Sequence, residues 1–268
     1  MKIYIATVLE GATGVFKWDQ GTPGTPEFRD AMKLLMGDVA AVAEGLKQAG
    51  VKEIYASDGH SYGNNFMAEY MISGVKYITG RKKGDFVDET IDGYIMVGMH
   101  SMNGTPGGLL HHTQSHMLET KYWYEDVERG EIYQEGVIAG SFNVPVILVT
   151  GDEAACAEAR ATFGENLPTV AVKKGINREA AILLAPDDTR QMLIEGAKKA
   201  ITMMPELKPY RVKFPLKIRI RHLATEAKSP YLATEVKNPD NPYFIDMEGE
   251  VQNIKDIYTG SNCKIVSP

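Results

Sequence analysis

An α/β fold with a mainly parallel sheet core and a smaller β-rich C-terminal part is predicted by three features of this 268-residue chain. Short β-rich apolar runs alternate with helical spacing over residues 1–205, as in sheets built from β-α-β units. From Phe214 the pattern changes, because Phe214, Leu216, Ile218 and Ile220 alternate with mostly basic residues like a strand with one wet face. A composition of 44% hydrophobic residues, with 29 Lys+Arg against 35 Asp+Glu, allows a proper core without disulfides or structural metals as staples. The handover falls between Pro205 and Pro209, giving an α/β catalytic core over 1–205 and a β-rich part over 206–268.

The elements follow in order. Lys2 to Leu9 reads as a strand, and Gly11, Gly14, Gly21 and Gly24 mark the loop after it. A helix then starts at Thr25, a capping residue, with Pro26 in its first turn and Glu27 complementing its positive end. Phe28, Met32, Leu35, Val39, Val42 and Leu46 recur at helical spacing until Gly50. Val51 to Ser57 is the next strand, so the chain opens β-α-β. A short helix is expected around Phe66 to Ile72, with strands at Val75 to Thr79 and Gly93 to Gly98. Met117 to Tyr133 reads as a hairpin turning near Glu128-Arg129-Gly130. A helical stretch, the strand Val144 to Thr150 and helices at Asp152 to Thr162 and Asp188 to Met203 complete the core.

A net charge of -6 and a pI near 5.6 provide no basic field for phosphate backbones, so no nucleic-acid partner is expected. No apolar run approaches a membrane span, and the N-terminal one is too short for a signal peptide and is broken by Glu10. Cys156 and Cys263 lie far apart, which fits a reducing compartment, and a cytoplasmic location is expected. There is no G-x-G-x-x-G after the first strand and no P-loop, so no nucleotide cofactor is expected.

The chemistry-bearing residues are concentrated. His60, His100, His111, His112 and His116 are five of the six histidines and occupy less than a quarter of the chain. His60 and His100 follow predicted parallel strands and Glu10 ends the first one. All three therefore lie on the sheet edge where open α/β folds bind ligands. Two imidazoles and a carboxylate there make a zinc set, although no H-E-x-x-H signature is present; separate loop residues with local hydrogen bonds are the other reading. A rival signal is Gly59-His60-Ser61-Tyr62-Gly63, which matches the G-x-S-x-G nucleophile elbow. It lacks an HGGG-type oxyanion segment, and the far-downstream His222 lies on a predicted strand.

Several motifs in order resemble the zinc-dependent D-aminopeptidase family of bacterial dipeptide-transport operons. They are Met1-Lys2-Ile3-Tyr4 with Glu10-Gly11, Asp58-Gly59-His60-Ser61 with Asn64-Asn65, and Gly98-Met99-His100 followed by Thr105-Pro106-Gly107 and His111. Gly130-Glu131, Val144-Pro145-Val146 and Gly151-Asp152 complete the set, which spans roughly residues 1 to 190. The resemblance implies a two-zinc, homo-oligomeric, decameric aminopeptidase that releases D-amino acids from short peptides. It implies that Glu10 and His60 hold one metal and His100 and Glu131 the other. His111 would assist catalysis by protonating the leaving amine or stabilising the oxyanion, and Asp58 would orient His60 from behind. His112 and His116 match nothing in the family pattern and are expected on the surface or in packing.

The sequence departs from the family at Val8, where the family carries an aspartate that bridges both ions. Two dications about 4 Å apart repel by about 17 kcal/mol at an effective dielectric of about 20, and a bridging carboxylate offsets much of that. A single zinc gathered from Glu10, His60, His100 and Glu131 is therefore expected. Two alternatives remain open: a serine hydrolase using Ser61, and a non-catalytic oligomeric homologue that kept the fold and lost the bridging ligand.

Overall fold

The computed structural model describes residues 1–80, 86–117, 119–223 and 244–266. Its strands are β1 (Lys2–Thr7), β2 (Glu53–Asp58), β3 (Val75–Ile78), β4 (Gly93–Met99), β5 (Lys121–Tyr124), β6 (Val127–Arg129), β7 (Val146–Asp152), β8 (Thr169–Asn177), β9 (Ala180–Leu183), β10 (Leu216–Leu223), β11 (Phe244–Val251) and β12 (Ser261–Val266). The helices are α1 (Trp18–Gly21), α2 (Pro26–Gln48), α3 (Glu131–Ser141), α4 (Glu153–Phe163) and α5 (Pro186–Met203). One seven-stranded sheet has the order β3-β2-β1-β4-β7-β8-β9, parallel except for β9. A second, antiparallel sheet has the order β12-β11-β10-β5-β6. No described helix is long and apolar enough to cross a membrane.

The layers follow from which side chains each strand buries. On β1, Ile3 and Ile5 join a core with α2 and α5, whereas Tyr4 points to the other face and packs with α3, α4 and the second sheet. A central parallel strand must be apolar on both faces, and this one is. Thr25 caps α2, its side chain accepting from the Phe28 amide at 3.1 Å, as the sequence predicts.

The sheet reverses direction in space between β1 and β4. From β1 the chain goes to β2 and β3 on one side, then to β4, β7 and β8 on the other. Ligand crevices open at such switch points, outside the carboxyl ends of the strands. Here the backbones touch. A Cβ on Gly11 would lie 1.9 Å from the Met99 carbonyl oxygen, and one on Gly98 (φ +75) would lie 2.2 Å from that of Val8. Only glycine permits this approach, which brings the loops after β1 and β4 together.

Three expectations change. The Met117–Tyr133 hairpin turns at Glu125-Asp126, both at positive φ as a two-residue primed turn requires, and Gly130 precedes α3 instead. The Phe66–Ile72 segment forms only one 3₁₀ turn, Ala68–Tyr70. The antiparallel sheet recruits β5 and β6 from within residues 1–205, so the β-rich layer is not made of the tail alone; residues 224–243 and 267–268 of that tail lie outside the described residues. Thr25→Ala should cost about 1 kcal/mol of stability through loss of the α2 cap, measurable as a lowered denaturation midpoint.

Candidate metal centre

Five polar side chains converge at the switch point. Glu10 comes from the loop after β1, His60 from the loop after β2, and His100 directly follows β4. His112 sits in the long loop after β4, and Glu131 opens α3. All five are buried, at 5%, 8%, 2%, 6% and 5% exposure in that order.

Each imidazole is turned the same way. The Nδ1 of His60 lies 3.1 Å from Asn65 Oδ1, that of His100 lies 3.1 Å from the Ser101 carbonyl, and that of His112 lies 2.9 Å from the Leu110 carbonyl. These oxygens require Nδ1 to carry a proton, so in the neutral ring each Nε2 presents a lone pair to the cluster. The Nε2 atoms then meet the carboxylates: His60 at 3.2 Å from Glu10 Oε1, His100 at 3.5 Å from Glu131 Oε1, and His112 at 3.9 and 3.8 Å from Glu10 and Glu131. Donors about 2.0–2.1 Å from a tetrahedral ion stand about 3.3 Å apart, and these separations are close to that. Glu10, His100 and His112 each offer a donor atom within 4.8 Å of the others.

The carboxylates are fixed too. Glu10 Oε2 accepts the Leu9 amide at 3.0 Å, and Glu131 Oε1 accepts the Gln114 amide at 2.8 Å. Behind His60, Asn65 is held by Asp58, which accepts the Asn65 amide and, at 2.7 Å, its side-chain Nδ2. Asp58 thus orients the His60 ring through Asn65, and its Oδ1 also accepts the His60 backbone amide at 3.3 Å. Burial raises the Glu10 carboxyl, but the His60, His100 and His112 rings outweigh it and hold its pKa well below the ordinary value. Burial opposes charge on His60, yet the Glu10 carboxylate holds its pKa above 6.5. His112 is pulled down to about 4 by burial and by His100, and so stays neutral.

The structure places Glu10, His60, His100 and Glu131 side by side, and the histidine beside them is His112, expected on the surface or in packing, rather than His111, expected to assist catalysis. His111 does not line the cleft: its Nδ1 faces the Gly104 amide at 3.0 Å and its carbonyl accepts from Arg178. The reason is local. Leu110 adopts φ +48, and its carbonyl secures His112, so the ring that enters the cleft is His112 and not His111. His116 also lines the cleft, stacked on Trp18 with ring centroids 4.3 Å apart. The cleft is about 650 Å³, and Val8 lines it beside Glu10. Ser61, at φ +51, sits on its wall. Ser61 has no general base from its neighbour His60, whose ring nitrogens face Glu10 and Asn65.

The family model described as D-aminopeptidase matches residues 1–241 of the chain. A D-aminopeptidase of Bacillus subtilis (strain 168) is 30% identical over 216 residues, which is 78% of this chain and 77% of the relative. The solved structure of the Zn-dependent D-aminopeptidase DppA from Bacillus subtilis, called a self-compartmentalizing protease, superposes with a TM-score of 0.84. That match covers 96% of this chain and 94% of the other at 23% identity, and it shows a shared fold.

His112→Ala should weaken divalent-metal retention sharply, whereas His111→Ala should leave it intact; metal analysis after gel filtration distinguishes them. Retention should also depend on pH with a definite sign. A proton on His60 ties up Glu10, so metal is lost as the pH falls through the raised His60 pKa, while His112 adds no competition until about pH 4. In the metal-free protein the same His60–Glu10 pair stabilises the fold where His60 is charged and Glu10 ionised, and that contribution fades as pH rises through the raised His60 pKa and again as pH falls through the lowered Glu10 pKa. Metal titrations and melting curves from pH 5 to 9 measure both.

Proposed function

The chain belongs to the D-aminopeptidase family and is a peptide hydrolase, and we propose that it releases N-terminal D-amino acids from short peptides with one zinc ion. Glu10, His100 and His112 form the proposed three-ligand core, with His60 beside Glu10 and Glu131 beside His100 and His112. The observation that carries this reading is the shared Nδ1 anchoring of three imidazoles, which aims three Nε2 lone pairs at two buried carboxylates.

A nitrogen-and-oxygen donor set suits zinc, which when bound supplies Lewis acidity and a water that is nucleophilic at neutral pH. The chain's own residues do the rest. Glu131 lines the cleft beside His100 and His112, where its carboxylate would take a proton from an attacking water and return it to the leaving amine. Asn65 and Asp58 hold His60 on Glu10, and Gln114 holds Glu131 through its backbone amide.

Charge balance supports one ion. Glu10 and Glu131 together match one dication, and Val8 adds nothing toward a second. Glu135, one turn beyond Glu131 on α3, is taken up by the hydroxyls of Tyr94 and Tyr258. Self-association, decameric by the family resemblance, is also part of the proposal. The outer strand β9 supports it, because Ile182 and Leu183 are exposed along an uncovered sheet edge, with Ile176 on the preceding strand. Sedimentation would measure the assembly size.

Anilides of D- and L-alanine, assayed with zinc and after chelation, test the activity. Preferential turnover of the D substrate that chelation abolishes and Ser61→Ala preserves is the expected result. Val8→Asp should raise zinc stoichiometry from one towards two per chain, because the new carboxylate faces the cleft beside Glu10; an unchanged ratio in the folded variant would count against the charge-balance argument.

A further inference from the structure

Two buried, oppositely charged residues outside the cluster each grip a segment that carries one of its side chains. Lys173 on β8 is 2% exposed, and its Nζ donates to the carbonyls of Glu10, Ala12 and Val15 at 2.7, 2.6 and 2.5 Å. Three acceptors match the three N–H groups of an ammonium, whereas a neutral amine has only two. Burial pulls Lys173 down to about 7, against the opposing pull of Asp152, Asp38 and Glu10. Asp38 completes the grip by accepting the Thr13 amide at 2.8 Å.

Asp152, at the end of β7, is the register partner of Lys173 across the parallel ladder. It is 1% exposed; its Oδ1 caps α4 by accepting the Ala155 amide, and its Oδ2 accepts the Leu109 amide at 2.7 Å. Leu109 precedes Leu110, whose carbonyl holds the His112 ring. Hydrogen bonds thus run from the Glu10 carbonyl to Lys173 and from Asp152 to the backbone that sets His112, and the two halves meet at the strand pairing and electrostatic attraction of Lys173 and Asp152.

We propose that Lys173 and Asp152 are positioning residues that lock the Glu10 segment and the His112 segment to one another, so that the metal cluster is preorganised as a unit. The proposal deepens the metal reading of the same site and rests on it for its effect on zinc. An ammonium among carbonyls acts here as a built-in cation, gathering three carbonyls of one loop onto β8. A carboxylate beside it fixes the second loop, and the pair compensates each other's buried charge.

The test uses the full chain as Lys173→Ala and Asp152→Asn. Asparagine still caps α4 but loses one amide acceptor and the charge, so this variant keeps the question open to decision if Lys173→Ala fails to fold. Zinc affinity, measured by competition with a chromophoric chelator, should fall 10–100-fold in both variants, the range seen when outer partners of metal ligands are removed. Potassium or ammonium ions should restore part of it in Lys173→Ala by occupying the three-carbonyl cradle. Amide exchange in the metal-free protein gives an independent readout. Each variant should speed exchange at least tenfold in both segments, Gly11 to Val15 and Leu109 to Thr113. Loosening confined to the segment next to the substituted residue, or unchanged zinc affinity in both folded variants, would overturn the proposal. If the parent protein bound no zinc, the metal reading would fail, and the exchange data would still decide whether the two segments are coupled.

Discussion

A carboxylate buried away from water must be compensated, and Glu10 is the point from which the site is organised. It is almost fully buried, yet ionised, because three imidazoles surround it. The compensation is incomplete while His112 stays neutral and His100 and His112 turn lone pairs rather than N–H groups inward. An arrangement of inward-facing acceptors is poor packing for a protein interior and good packing for a divalent cation. The hydrogen bonds of the surrounding shell, from Asn65 to Gln114, preserve that inward orientation.

The fold makes such a cluster attainable with few residues. Strands β2, β1 and β4 are neighbours in the sheet, so the residues just beyond their carboxyl ends need only short excursions to meet. The close backbone contact allowed by Gly11 and Gly98 removes the gap that side chains would leave between the two central loops. Glu131 arrives from the other layer, on the first turn of α3. That helix is clamped from behind, because Ile132 and Val137 pack among Tyr122, Tyr124 and Ile218 of the antiparallel sheet. The second sheet therefore has a functional consequence: it sets the height at which Glu131 enters the cleft.

Most of this architecture was readable from the amino-acid order. Alternating strands and helices, the Thr25-Pro26 start of α2 and the strand-end placement of Glu10, His60 and His100 all follow from local rules of periodicity and capping. The readable part ended where tertiary contacts decide. Which histidine of the His111-His112 pair enters the cleft depends on the positive φ of Leu110, and nothing in the sequence around a leucine announces a left-handed backbone. The turn at Glu125-Asp126 was obscured in the same way, since neither residue is the Asn or Gly that such turns favour. Lys173 was invisible because a lysine within a strand ordinarily faces solvent, and only the loop folded over it reveals three waiting carbonyls. Asn65 lay inside a motif, but its role as the link between Asp58 and His60 needs the geometry of a turn that periodicity does not encode.

The cleft also divides its labour between floor and mouth. Its floor is the buried cluster, in which each side chain is held by a hydrogen bond of its own. Its mouth carries Tyr62 and Met117, exposed at 60% and 75%. Chemistry at a metal needs groups held to within about 0.5 Å, which the floor provides. Peptides vary in side chain and length, and a flexible thioether beside an exposed aromatic ring suits that variation. Discrimination between D and L residues cannot come from such an adaptable rim. It would have to arise deeper, where the cleft is lined by the buried side chains of Val8, Glu10 and His112. An apolar Val8 then acts sterically as well as electrostatically, because it sets the space beside Glu10 that the substrate's first side chain can enter.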